Sequence, residues 1–126
     1  MNYKDLLKEK LMQQFKFNYD KENDDLFLYN PKSKSKGSVE LGNIILDFNS
    51  KKEFVGIQIM DASLLIKDLL DEKDQKIIKE TLENLIESKI SIKIIDNLLI
   101  IKLFLFSKLN EISPVLSVPT IQRTSP

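Results

Sequence analysis

Apolar and polar residues change their rhythm several times along this chain, and each change marks an element. Tyr3, Leu6, Leu7, Leu11 and Phe15 recur at spacings of three and four, with Lys4, Lys8 and Glu9 between them. That period predicts a short amphipathic helix near the N-terminus. Its apolar face is modest and its charge balanced, which suits packing on the rest of the domain rather than lying in a membrane surface. From Phe15 the period drops to two. Phe15, Phe17 and Tyr19 alternate with Lys16 and Asn18, the run from Asp20 to Asp25 supplies turn formers, and Leu26 to Tyr29 closes a hairpin. Asn30-Pro31 stops that strand, because proline cannot donate to a ladder. The segment KSKSKG (32–37) reads as a basic, flexible loop. Val39 to Phe48 reads as a third strand with Gly42-Asn43 as a bulge inside it, and Phe54 to Met60 as a fourth. Such short connections make the neighbours antiparallel.

Asp61 stands where a helix N-cap belongs, with its carboxylate placed for the amides of Ser63 or Leu64. Leu65, Leu69, Leu70, Ile77, Ile78, Leu82, Leu85 and Ile86 then keep helical spacing. The spacing fails over 71–76, which either separates two helices or leaves one turn of a long helix in solvent. Ser91 to Ile95 and Leu98 to Phe106 predict a second hairpin about Asp96-Asn97. The near-continuous apolar run from Leu98 to Ile101 predicts a strand buried on both faces. Pro114, Pro119 and Pro126 make 110–126 an extended tail. The expected class is α+β: a four-stranded antiparallel meander with an N-terminal helix, one or two helices after it, and a two-stranded hairpin extending the sheet. Residues 1–109 would form one domain and 110–126 a proline-containing extension.

The runs FNYDKENDDLFLYN and ILDFNSKKEFVGIQIMDAS carry a family likeness. They resemble the small YuzE-like domain of unknown function (DUF2283), in an elaborated, archaeal-type version. Tyr19-Asp20, Asp25-Leu26-Phe27-Leu28, Leu46-Asp47-Phe48, Val55-Gly56-Ile57-Gln58-Ile59 and Asp61-Ala62-Ser63 stand at the matching places. Gln58 replaces the usual glutamate, and Lys52-Glu53 replaces the turn glycine. The likeness covers about residues 17–63. It implies a fold and no assigned activity. Some bacterial members look like partners of small toxin-like proteins, so an antitoxin-like role is one reading it implies.

Composition narrows the chemistry. The 126 residues hold no cysteine and no histidine, which removes disulfides, thiol nucleophiles, Cys/His zinc sites and imidazole-based triads. No cofactor is expected, and any metal site would be all-oxygen. Nineteen basic and nineteen acidic residues cancel, so no global field favours nucleic acid. No run approaches the ~20 apolar residues of a membrane span, nor is there an apolar leader segment, and a cytoplasmic protein is expected.

Among the carboxylates Asp20, Asp24, Asp25, Asp47 and Asp61, the set Asp20, Asp25 and Asp47 is the candidate for a divalent-metal hydrolase. Turn and cap roles account for most of these residues. Asp47 is the odd one, a charge inside an apolar strand. The KSKSKG lysines could grip a phosphate, although the loop lacks P-loop spacing. Ile112, Val115, Leu116, Val118 and Ile121 put apolar material in the tail and are candidate interaction residues, covering the chain's own core, a second copy in a homodimer, or a partner. The leading expectation is a non-catalytic protein-interaction or regulatory module with an unidentified protein partner.

Overall fold

A computed structural model of the chain describes residues 12–119. Among the described residues, nine strands form one antiparallel sheet, with two short helices in the middle of the chain. This overturns the expected α+β meander. The strands are β1 (Met12–Asp20), β2 (Asp25–Tyr29), β3 (Gly37–Leu41), β4 (Ile44–Phe48), β5 (Phe54–Ile59), β6 (Leu85–Ile95), β7 (Leu98–Ser107), β8 (Glu111–Ile112) and β9 (Val115–Pro119). The helices are α1 (Ala62–Leu69) and α2 (Gln75–Glu83). The expected N-terminal helix lies outside the described residues over 1–11, and its last turn is corrected: Met12 to Phe15 are strand.

The predicted third strand is two. Gly42 has φ 61°, and Leu41 pairs with Ile44 across it, so Gly42-Asn43 is a two-residue hairpin turn and not a bulge. A positive φ at the first turn position matches the twist of the flanking strands, and glycine reaches it without strain. The order is also not a meander. The sheet runs β3-β4-β5-β2-β1-β6-β7-β8, with β9 on β7, so β5 returns between β4 and β2. Polarity decides the arrangement. β5 is almost wholly buried and takes a central place, whereas GSVEL of β3 is mostly exposed and takes the edge.

β1 belongs to both halves of the sheet. Met12 to Phe15 pair with Ser91 to Ser88 of β6, and Lys16 to Asp20 pair with Tyr29 to Asp25 of β2. Leu26, Leu28, Leu46, Ile57, Ile59, Ile90, Ile101, Leu103 and Leu105 therefore meet in a single core, closed by Ile66 of α1 and by Ile78 and Leu82 of α2. A bulge at Val55, where Phe48 pairs with Phe54 and Asp47 with Gly56, turns the Phe54 ring into this core. There it lies 6.0 Å from Phe15 and edge-on to Phe48 at 6.1 Å.

Segment 71–76 separates two helices. Asp71 adopts φ 53°, Glu72 N–H bonds the Lys67 carbonyl at 2.9 Å and Asp71 N–H bonds that of Asp68 at 3.3 Å. This is a Schellman stop with aspartate where glycine usually sits. Asp74 then caps α2, accepting from the Lys76 amide at 2.9 Å. Helical spacing at Leu85 and Ile86 misled: α2 ends at Glu83, and β6 starts at Leu85. The hairpin about Asp96-Asn97 forms as expected. β7 is not buried on both faces, however. Ile101, Leu103 and Leu105 point inward while Lys102 is exposed. The described part of the tail lies along the sheet: β9 pairs with Leu98 to Lys102 and β8 with Leu105 and Phe106.

Candidate functional site

The acidic turn between β1 and β2 organises the first cluster. The Asp20 carboxylate accepts from the amides of Glu22 at 3.0 Å and Asn23 at 3.3 Å, and from the Asn23 side chain at 2.7 Å. The Asn23 side-chain bond, followed by its backbone bond, draws Asp20 below the ordinary carboxylate value. Asp24 has φ 56°, a left-handed conformation that a short polar residue tolerates. Its side chain is buried. Oδ1 accepts from the Tyr19 hydroxyl at 2.6 Å and the Ser63 amide at 3.1 Å, and Oδ2 from the Ser63 hydroxyl at 2.7 Å. The Asp24 carbonyl accepts from the Ala62 amide at 2.9 Å. Gln75 of α2 donates to Ser63 Oγ at 2.8 Å.

The first amides of α1 are therefore satisfied by Asp24, a residue distant in sequence. Asp61 sits at φ 52° and makes no side-chain cap bond, which corrects its expected role. Burial, with the bond to Asp24 and its nearby charge next, raises the Tyr19 phenol above the ordinary value of 10.0. A phenol held protonated and already donating is no general base near neutrality. Ser63 is fully buried, its hydroxyl donating to Asp24 and accepting from Gln75. This cluster is a tie between turn and helices.

The three candidate metal ligands are not brought to one place. Asp20 and Asp25 face each other where β1 and β2 meet the turn. Asp47 lies on β4, separated from β2 by β5, and accepts from the Ser38 hydroxyl at 2.5 Å. Gly56 explains how a charge fits there. A Cβ at that position would lie 3.2 Å from Asp47 Oδ2 and 3.2 Å from the Leu28 carbonyl, so the missing side chain makes the room. Among the described residues no three acidic side chains gather as metal ligands. In the tail, Leu116 and Val118 are buried and Ile112 packs against the core, while Val115 is exposed and Ile121 lies outside the described residues.

The second cluster is at the β3 edge. Among the described residues β3 pairs only with β4, and Gly37, Ser38 and Glu40 are exposed. In a ladder closed by a two-residue turn, alternate residues bond inward from the closing pair. With Leu41, Val39 and Gly37 bonding to β4, Ser38 and Glu40 direct their N–H and C=O groups to the open side. At the Gly37 end, the Lys36 amide bonds the Phe48 carbonyl at 2.8 Å and Asn49 Nδ2 bonds Ser33 Oγ at 3.1 Å. These bonds draw the 32–36 loop onto the 49–52 turn. Two adjoining open depressions, sharing Lys36, Asn49 and Ser50, carry Lys32, Lys34, Lys36, Lys51 and Lys52 on their walls. The loop lysines stand out in the sequence, but Lys51 and Lys52 do not. A legible Gly-Asn hairpin turn would have shown that both segments must meet at one end.

No helix among the described residues is long and apolar enough to cross a membrane. Residues 16–63 match a family model described as a protein of unknown function (DUF2283). The chain is 37% identical over 99 residues to an uncharacterised protein of Methanocaldococcus jannaschii, an alignment spanning 77% of this chain and 78% of that protein. It is 42% identical over 48 residues to a Methanosarcina mazei protein that carries the provisional name of a hypoxanthine phosphoribosyltransferase. That second match spans 38% of this chain and 39% of that protein. No solved structure matches. Tyr19, Asp24 and Ser63 all fall inside the matched span, and Gln75 lies beyond it. The chain belongs to the DUF2283 family of proteins of unknown function.

Proposed function

We propose that this chain is a protein-binding module that takes an extended segment of a partner onto the edge of β3. The exposed edge itself carries the reading: Ser38 and Glu40 offer outward N–H and C=O groups in a register a further strand can continue. Strand addition draws its affinity from such main-chain bonds and its selectivity from neighbouring side chains. The Tyr19 hydroxyl and Ser63 are committed to Asp24, and Asp47 on β4 lies away from the facing pair Asp20 and Asp25.

The test is site-specific photocrosslinking in native lysate, with benzoylphenylalanine at position 38 and, as control, at Lys79 on α2. A discrete adduct is expected at the edge and not at the control. Glu40→Pro should abolish it, since proline removes an outward donor and leaves the inner β3–β4 ladder intact. Adducts of equal yield at both positions, or adducts indifferent to Glu40→Pro, would sink the reading.

A further inference from the structure

We infer that the segment taken by β3 is acidic at its C-terminal end, where it meets Lys32, Lys34, Lys36, Lys51 and Lys52. This rests on the strand-addition reading above and adds the chemistry of the partner. Every strand pair described in the sheet is antiparallel. An added antiparallel strand runs against Gly37→Leu41, which brings its C-terminal end beside Gly37 and the lysines. Glu40 stands toward the other end of β3, so the edge is basic where the visitor ends and acidic where it begins.

The cluster is also uncompensated. The ion pairs among the described residues are Lys67–Asp68 and Lys89–Glu87, and neither includes any of these five lysines. Two carboxylates lie nearby, and neither is ion-paired with these lysines: Glu53 accepts from Asn49 Nδ2 at 3.1 Å, and Asp47, beside Ser33 and Ser35 of the loop, accepts from the Ser38 hydroxyl at 2.5 Å. In a chain whose charges cancel overall, this end is a local excess that an anionic partner would neutralise. A nucleic acid fits less well, because single strands need open aromatic platforms beside the cations. Phe48 is engaged edge-on with Phe54, and Phe27 and Tyr29 stack on each other at 5.0 Å.

The experiment is an amide-shift titration of the ¹⁵N-labelled full chain with three synthetic peptides. One alternates threonine and valine and ends in three glutamates. A second has the same body and ends in three lysines. The third has a glycine-proline body ending in three glutamates. The first should shift the amides of Ser38, Glu40, Lys36, Lys51 and Lys52, and bind about tenfold more tightly than the second, as a few exposed ion pairs would provide. The combined variant Lys36→Glu, Lys51→Glu, Lys52→Glu should reverse that preference while its remaining amide spectrum keeps the folded dispersion. Equal binding of the first two peptides, both weakened by Glu40→Pro, would overturn the acidic partner and leave strand addition standing. Equal binding of the first and third, indifferent to Glu40→Pro, would overturn strand addition and this inference with it, as would no shift from any peptide. Displacement of the first peptide at physiological salt by oligothymidylate of equal charge would reassign the lysines to nucleic acid.

Discussion

Removing the carboxylate of Asp24 would leave the half-buried Tyr19 hydroxyl and both donors of the fully buried Ser63 without their acceptor. Each stranded buried donor costs about 1–3 kcal/mol, and part of that is relieved by relaxation. Asp24→Ala should therefore lower unfolding stability by about 3 kcal/mol in a urea melt, at the large end for single substitutions. Asp61→Asn should stay within about 0.5 kcal/mol, because that side chain caps nothing. The opposite ranking would restore Asp61 as the cap. Tyr19 adds a pH signature. Its folded value is raised, so the associated stability is complete below the ordinary value of 10.0 and declines above it, as the unfolded phenol ionises first. Tyr19→Phe should flatten this alkaline decline in melts taken across pH 9 to about 11. Sequence reading identified an aspartate cap at the start of α1 and chose the wrong aspartate. Capping rules are local, and nothing near Asp61 reveals that a turn folded from afar supplies the acceptor.

The β3–β4 hairpin shows which elements were legible. The β6–β7 hairpin reads plainly because Ile90, Ile92 and Ile94 alternate before Asp96-Asn97 and a dense apolar run from Leu98 follows it. In Val39 to Phe48 the apolar pattern runs nearly unbroken through Gly42-Asn43, so a bulge and a turn look alike until the chain's direction is known. Position 42 distinguishes them. A Cβ there meets nothing within 4 Å, so any cost of Gly42→Ala is conformational. The positive φ should make that cost about 1–2 kcal/mol, with Gly42→Asn much milder. Equal effects in thermal melts would show that the turn does not depend on the left-handed conformation. α1 and α2 were legible as a break in spacing, and the Schellman stop gives the reason for the break. The start of β6 was not, because Leu85 and Ile86 fit a helix and the first pairs of a bulged strand equally well.

Across the described molecule, the tail adds Leu116 and Val118 to the core. Leu116 and Val118 are buried against the sheet through β9, and Leu116→Ala should cost about 2–4 kcal/mol in a denaturant melt, as a buried leucine does. A loss below about 0.5 kcal/mol would mean that β9 contributes little to the fold. The prolines made this segment look like an appendage. Pro119 stands in the last paired position and Pro114 just before β9, places where a missing donor interrupts little of the ladder.

The division of β1 between two sets of neighbours has a consequence in time. Its second half needs only the nearby turn to meet β2, a contact that forms early because little chain must be closed. Its first half must wait for β6, and the Ser88 hydroxyl that bonds the Phe15 carbonyl at 2.7 Å arrives from 73 residues away. Closing so long a loop is slow, and the shared core is incomplete until it happens. Folding should thus end, rather than begin, at the N-terminal half of its first described strand.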